Sequence, residues 1–178
     1  EGQGEHATDA FEERVTVLLI GVDEHLDVGA AGEAMAALLE LEGPEVTQQW
    51  LEGMKANAKI YDNNITTLKA VNSGEVAGGI IYHYYWFRDQ AETKEISGNT
   101  QLHYFRNQDP GAFVSISGAG VLASSDKQDQ AQQFLEFVTG EAGQDVLRTG
   151  TSFEYPVASG VAANPALPPL ALILPFSV

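Results

Sequence analysis

The feature that most constrains this chain is a short apolar run that passes directly into a polar, helix-compatible stretch. Residues 76–81 indicate a buried strand, and residues 86–94 indicate a helix. Tyr84 and Tyr85 stand between them, where the strand gives way to the helix. Because ligands of open α/β sheets bind at the carboxyl ends of strands, the sequence predicts an α/β fold with both tyrosines at a ligand-binding edge.

The paired tyrosines allow two interpretations. Neighbouring phenols can converge in the first turn of a helix, where the positive end of the helix dipole favours a phenolate. Phenols titrate at about pH 10 in water, so a phenolate at neutral pH needs a strong cation beside it, and ferric iron would serve. The alternative is aromatic packing, because Tyr84, Tyr85, Trp86 and Phe87 follow one another without interruption.

The composition limits the classes of function. The 178 residues include 25 acidic and nine basic side chains, which gives a net charge of −16. We expect no nucleic-acid binding, because no basic patch offsets that negative field. The acidity suits either attraction of cations or simple solubility. The absence of cysteine excludes disulfides, thiolate metal sites and cysteine nucleophiles.

The sequence shows no membrane-spanning or targeting segment. It contains no run of about 18 apolar residues, so we expect nothing that spans a membrane. Glu1 is not an initiator methionine and no signal peptide is visible, so we expect a processed or trimmed chain.

The N-terminal part indicates an acidic arm followed by one strand and a loop. Residues 1–13 are polar and acidic, and we expect them to form a loose arm. Residues 15–22 form a continuous β-rich run that predicts a buried strand. The loop at 23–32 holds three acids and His25. It is either solvated or a carboxylate–histidine metal cluster.

Two helices should follow this loop. Residues 34–41 have helical apolar spacing and end at Gly43, and Pro44 suits the first turn of the next helix. Trp50 belongs to the apolar stripe of that second helix, which predicts that it packs in the core. The helical pattern ends at Asn57.

A compact βαβ unit is the next prediction. We expect a short strand at 59–61, a capping turn at 62–64, a helix that ends at Gly74, and the strand at 76–81. Asn64 should open this helix near the sheet edge that holds the tyrosines. Its position suits either an anion on the helix N-terminus or plain capping.

The C-terminal half contains one strand and two helices. We expect a strand at 102–106, in which His103 is structural, and then a turn at 109–111. Residues 117–120 are glycine-rich but lack the Lys-Ser/Thr of a phosphate loop. Asp126 should cap a helix with apolar residues at i, i+3, i+4 and i+7 that ends at Gly140. A short helix at 141–147 completes the elements.

These pieces together resemble a known family, the bacterial ferric-ion-binding proteins, which are extracytoplasmic receptors of iron ABC importers. The similar stretches follow the family's order and cover roughly residues 33–168. They are 41–43, 49–55, 60–64, 71–76, 83–86, 107–112, 117–122, 131–137 and 154–156.

The resemblance implies a fold and a function. The fold would be α/β, a lobe like those of type II periplasmic binding proteins, with a mixed sheet flanked by helices. Tyr84 and Tyr85 would be the ferric ligands, and Asn64 would lie near a synergistic anion: carbonate, phosphate or citrate. Arg88 fits the pattern after the tyrosines and is given no ligand role.

The resemblance also implies partners and a location. The protein would bind ferric iron in a cleft between two lobes and deliver it to the permease of an ABC importer. It would be periplasmic or extracellular. In a Gram-positive or archaeal host, we expect it to be held by a lipoprotein anchor. We expect no enzyme, because no Ser/His/acid arrangement or nucleotide loop is present.

The chain departs from the family in length and therefore in domain organisation. Residues 1–28 are an unassigned acidic arm and strand, and residues 29–110 form the tyrosine-bearing lobe. Residues 111–168 form a crossover segment that would normally contribute to the other lobe, and 169–178 are an apolar tail. The anion loop expected before position 34 reads Gly-Ala-Ala-Gly here.

Two further expectations follow from that short length. One is an alternative function, in which an orphan lobe acts as a structural or interaction module without metal. The other is a homodimer formed by exchange of the C-terminal segment, because a lone lobe exposes apolar surface. Folding of the tail onto its own lobe is the alternative to that exchange.

Overall fold

The computed structural model describes residues 15–19, 29–105, 109, 111–112, 114 and 116–170. Within these ranges the chain forms three strands and five helices. In chain order they are β1 (Val15–Leu19), α1 (Gly29–Asn57), α2 (Asn64–Ser73), β2 (Ile80–Tyr82), α3 (His83–Glu92), β3 (Gln101–His103), α4 (Gln128–Thr139) and α5 (Glu141–Thr149). The expected acidic arm, the acidic loop with His25 and the tail after residue 170 lie outside the described residues.

The strands form a parallel sheet in the order β2-β1-β3. Leu18 of β1 pairs with Ile81 of β2, and Thr16 of β1 pairs with Leu102 of β3. Helices cross over between parallel strands, because such strands cannot be joined by a tight turn. The predicted α/β class is therefore confirmed. The mixed sheet is not seen, since the described strands all run parallel.

The expected strand at 59–61 is wrong. Those residues form no regular structure, and Ile60 is fully exposed. A strand needs a hydrogen-bonded neighbour, and the neighbour of β2 is β1, which lies more than 60 positions earlier in the chain. The βαβ unit therefore consists of β1, α1, α2 and β2. The β2 strand itself is shorter than expected, since it begins at Ile80.

Helix α1 is two helices joined at a kink, as the sequence predicts. Gly43 has φ 82° and ψ 173°, a left-handed φ that suits glycine. Pro44 follows it and cannot donate a backbone hydrogen bond, so the first helix cannot continue through it. The helix begins at Gly29, so the loop expected through residue 32 is wrong over 29–32. The prediction that Trp50 packs in the core is also wrong, because Trp50 is only half-buried.

Helix α2 has the ends that the sequence predicts. Asn63 is the N-cap: its side chain accepts a hydrogen bond from the Thr66 amide at 2.9 Å. Gly74 adopts the left-handed conformation at the C-terminus, with φ 77°. Leu68 and Val71 are completely buried on the inner face. These contacts fix the helix that leads into β2.

The core lies around the end of β2 and the start of α3. Tyr82, Tyr84, Phe153 and Leu167 form one buried cluster. Two members come from the strand–helix junction and two from the segment after α5. The predicted division of the chain at residue 110 stays a prediction, but this cluster places part of 111–168 against the tyrosines.

Helices α4 and α5 cover little apolar surface. Helix α4 contains no buried residue, and Phe134 is 64% exposed. Gly140 ends α4 as expected, but Lys127 rather than Asp126 is the N-cap, and no side chain caps the helix. His103 is exposed, and its ring meets Phe105 edge-on at 5.2 Å. In the part of the chain that the structure describes, no helix combines the length and apolarity needed to cross a membrane.

Candidate metal-binding site

The site begins where β2 becomes α3 without an intervening loop. Tyr82 is the last residue of the strand and also the N-cap of the helix, with extended backbone angles. Tyr84 and Tyr85 follow in the first helical turn. The tyrosines therefore lie at the carboxyl end of a strand in a parallel sheet, as the sequence predicts. The start of α3 has no side-chain cap, so its positive end faces this region.

The two phenols converge. The ring centroids of Tyr84 and Tyr85 are 4.6 Å apart, and the ring planes are inclined at 32°. Two neighbouring ligand oxygens of an octahedral ion with metal–oxygen distances of about 2 Å lie about 3 Å apart. Two phenols on neighbouring residues whose rings lie this close can direct both oxygens to one ion.

Tyr84 is held in its neutral form when no cation is present. It is 5% exposed, and its ring stacks on that of Tyr82 at 5.7 Å. Burial raises the pKa of Tyr84 well above its usual value, and its interaction with Tyr85 and the charge of Glu154 raise it further. Metal binding would have to displace that proton, which only a strongly attracted cation can do.

The packing interpretation of the aromatic run also describes real contacts. Trp86 donates from Nε1 to the Thr100 hydroxyl at 3.0 Å and meets the ring of Phe87 edge-on at 5.1 Å. Phe87 in turn stacks on Phe153 at 5.8 Å. Trp86 and Phe87 therefore fix the helix, whereas the rings of the two tyrosines beside them lie against each other.

His83 connects this junction to a segment 70 positions later. Its Nε2 donates to the Phe153 carbonyl at 2.6 Å, and its ring lies 5.7 Å from that of Tyr155. Burial lowers the pKa of His83 to about 4, which the bond to Phe153 only partly opposes. His83 is therefore neutral at pH 7. Its Nδ1 has no hydrogen-bond partner among the described residues.

Asn64 contacts the backbone of Tyr82, a contact that neither the capping nor the anion-binding interpretation predicts. Its Oδ1 accepts a hydrogen bond from the Tyr82 backbone amide at 2.9 Å. The capping role belongs to Asn63 instead. Asn64 therefore ties the start of α2 to the end of β2, and its proximity to an anion stays a prediction.

Sequence reasoning missed Glu154 as a neighbour of the site. Its charge acts on Tyr84, and Arg88, four residues after Tyr84 on α3, acts on Glu154. Burial raises the pKa of Glu154, and Arg88 opposes that rise. The signal available in the sequence was the similarity of residues 154–156 to the family, which located the segment but not its contacts.

No other metal-ligating group competes with the tyrosines in the ranges that the structure covers. Over those residues, no three His, Cys, Asp or Glu side chains come together as a metal-binding group. The loop with His25 lies outside those residues. Tyrosine oxygens are thus the donors that the described structure brings together at a strand end.

A parallel sheet with oxygen donors at the carboxyl end of one strand defines an α/β ligand-binding protein. Comparison with known proteins agrees with that class. Residues 22–150 match the family of bacterial extracellular solute-binding proteins, and the chain belongs to that family.

Three relatives illustrate the similarity. The chain is 57% identical over 136 residues to the Fe(3+)-binding periplasmic protein of Serratia marcescens, covering 76% of this chain and 40% of that protein. It is 37% identical over 143 residues to the major ferric iron-binding protein of Neisseria meningitidis serogroup B, covering 80% and 43%. It is 29% identical over 136 residues to iron uptake protein A1 of Synechocystis, covering 73% and 38%.

These relatives confirm the resemblance to ferric-ion-binding proteins. The chain spans about two fifths of the length of the curated relatives it matches. The names of these complete proteins state that they bind or take up iron. Iron binding by the present chain is a proposal.

Proposed function

We propose that this chain binds ferric iron through Tyr84 and Tyr85, as the tyrosine-bearing lobe of a solute-binding protein. The protein would act in the periplasm or outside the cell, free or lipoprotein-anchored, and would pass iron to the permease of an ABC importer. The observation that carries the proposal is the convergence of two phenols, whose rings are 4.6 Å apart, at the carboxyl end of β2. Relatives named for ferric iron support the choice of metal.

The donor set explains why the metal would be ferric iron. Phenolate oxygens are hard, negatively charged donors, and hard oxygen donors select hard cations rather than soft ones. The buried Tyr84 proton also requires a highly charged ion to displace it. A trivalent ion meets both requirements better than a divalent one, because its attraction to the phenolates is greater.

The two phenolates leave the coordination sphere incomplete. An octahedral ion takes about six ligands, so about four positions remain. We propose that carbonate, phosphate or citrate fills some of them, with Asn64 nearby. Its Oδ1 is engaged by the Tyr82 amide, so the amide nitrogen is the part of Asn64 that would donate to an anion.

A second function has its own observation in favour of it. Several large apolar side chains after residue 115 are more than half exposed, and such side chains mark an interaction site where they form one contiguous patch. They are Ile116, Leu122, Phe134, Phe137, Val146 and Val157. The alternative is therefore an interaction module that keeps the fold and binds no metal. Neither function involves catalysis.

A titration with ferric citrate separates the two functions. Tyrosinate bound to ferric iron gives a charge-transfer band in the visible, and we expect this band to saturate at one iron per chain. Tyr84→Phe and Tyr85→Phe should each weaken or abolish it and leave the far-ultraviolet circular dichroism unchanged. A folded protein without a band at equimolar iron would support the interaction module.

Tyr61→Phe is the matched control for that titration. Tyr61 does not belong to the core cluster at the end of β2, and its hydroxyl donates to Glu75 at 3.0 Å on the surface. The substitution removes a tyrosine hydroxyl whose partner is Glu75 and leaves Tyr84 and Tyr85 unchanged. The band of Tyr61→Phe should equal that of the parent.

A further inference from the structure

His83 is a buried imidazole that is hydrogen-bonded to the backbone of a distant segment. It is 1% exposed, and its Nε2 donates to the Phe153 carbonyl at 2.6 Å. Its Nδ1 is buried without a hydrogen-bond partner among the residues that the structure describes. A polar atom left unpaired in this way lowers stability, so packing alone does not explain an imidazole at this position.

The residue that accepts this hydrogen bond is itself in an unfavourable conformation. Phe153 is buried and has a left-handed φ of 54°, which non-glycine residues rarely adopt. Its ring stacks on that of Phe87 at 5.8 Å, so its side chain is held as well as its backbone. Backbone conformations of this kind persist only where the surrounding structure enforces them, and they are frequent at functional sites.

Both partners of the hydrogen bond lie against the tyrosine pair. His83 directly precedes Tyr84 in the first turn of α3, and the two rings meet edge-on with centroids 5.9 Å apart. Phe153 belongs to the same core cluster as Tyr84, and Tyr85 packs against that cluster. The bond therefore joins the start of α3 to a segment 70 positions later, at the place where the two phenols lie.

We propose that His83 is a positioning residue for the tyrosine pair: its hydrogen bond to the Phe153 carbonyl fixes the first turn of α3 and thereby the directions of the two phenols. This role rests on the proposed function and deepens it, and His83 does not touch the ion. A metal site binds tightly when its ligands are held near their bound geometry before the ion arrives. Because no side chain caps α3, loss of the bond leaves the iron to order the first turn itself, which weakens binding.

Two amide side chains of different length separate the hydrogen bond from the other properties of His83. The amide nitrogen of glutamine extends about as far from the backbone as the histidine Nε2, so His83→Gln can still donate to the Phe153 carbonyl. The amide nitrogen of asparagine extends only about as far as Nδ1, so His83→Asn loses the donor. His83→Leu loses it without adding a buried polar group. Burial lowers the pKa of His83 to about 4, so none of these substitutions changes the charge at neutral pH.

The experiment titrates ferric nitrilotriacetate at neutral pH, with citrate as competitor, into the parent, the three variants at position 83 and the control Val71→Ala. Val71 is completely buried on α2, outside the cluster around the tyrosines, so its truncation shows what a loss of stability alone does. We expect His83→Asn and His83→Leu to weaken iron binding by about 10- to 100-fold, as residues behind metal ligands do. His83→Gln should recover most of that loss, and Val71→Ala should match the parent.

The charge-transfer band gives a signature that a loss of stability alone does not change. Each bound tyrosinate contributes to the band, so the band per bound iron should be weaker in His83→Asn and His83→Leu. Val71→Ala should give the band of the parent. Circular dichroism shows whether each variant is folded, and His83→Leu decides the question if His83→Asn does not fold.

The possible outcomes separate the positioning role from the proposed function. Parental affinity and band in a folded His83→Leu would overturn the positioning role, and so would an equal loss in Val71→Ala or in His83→Gln. If Tyr84→Phe abolishes a band that His83→Leu leaves intact, only the positioning role fails. If the parent itself gives no band, the proposed function fails and the positioning role fails with it.

Discussion

The buried imidazole of His83 predicts an acid-sensitive apoprotein. His83 is 1% exposed, and burial lowers its pKa to about 4, whereas an unfolded histidine titrates at about 6.5. The unfolded chain therefore takes up this proton first as the pH falls. The contribution of His83 to stability is fully present above about pH 6.5 and is lost progressively between about pH 6.5 and 4.

The magnitude follows from those two pKa values. At about pH 5, protonation of His83 shifts the folding equilibrium about 30-fold towards the unfolded state, which lowers the free energy of unfolding by about 2 kcal/mol. At about pH 7.5 the same term is close to zero. His83→Gln removes the titrating group, and its side-chain amide can still donate to the Phe153 carbonyl.

Urea unfolding of the metal-free protein at both pH values measures this term. The parent should lose about 2 kcal/mol more than His83→Gln between about pH 7.5 and pH 5. Other acids titrate equally in both proteins, so the difference isolates position 83. His103→Gln is the matched control, because His103 is exposed, and it should follow the parent. Equal pH dependence of the parent and His83→Gln would refute the reasoning.

The remaining predictions concern the cap, the anion and assembly. Asn63→Ala should lower the free energy of unfolding by about 1 kcal/mol, measured in urea, because it leaves the Thr66 amide without its cap; a loss near zero would count against that role. Iron binding should weaken markedly when carbonate, phosphate and citrate are all removed, and isothermal titration measures this loss. Undiminished affinity would contradict the claim that the two phenolates leave the coordination sphere incomplete. The chain should form a dimer through its exposed apolar surface. Light scattering at about 0.15 M and about 1 M salt measures the mass in solution. A monomer mass at both salt concentrations, unchanged by deletion of residues 169–178, would disprove the dimer.

Local signals explain the parts of the fold that the sequence predicts well. The break at Gly43 and Pro44, the ends of α2 at Asn63 and Gly74, and the end of α4 at Gly140 each depend on the conformational preferences of a few neighbouring residues. The strand-to-helix junction at the tyrosines is of the same kind, because a change of periodicity marks it. Such features form wherever the local sequence requires them.

Contacts between distant segments explain what the sequence does not reveal. The expected strand at 59–61 fails because strand formation depends on a partner, and β2 pairs with β1 instead. Nothing near His83 predicts a hydrogen bond to Phe153, and nothing near Asn64 predicts one to Tyr82. Phe153 comes to the tyrosines through the first of these contacts, so only the folded structure could identify it.

The central claim is that Tyr84 and Tyr85 hold one ferric ion together. Crystals soaked in ferric citrate, with diffraction data collected on both sides of the iron absorption edge, test it most directly. We predict a single anomalous peak about 2 Å from both hydroxyl oxygens. Iron bound elsewhere on the chain, or no peak at the tyrosine pair in crystals that diffract well, would contradict the account.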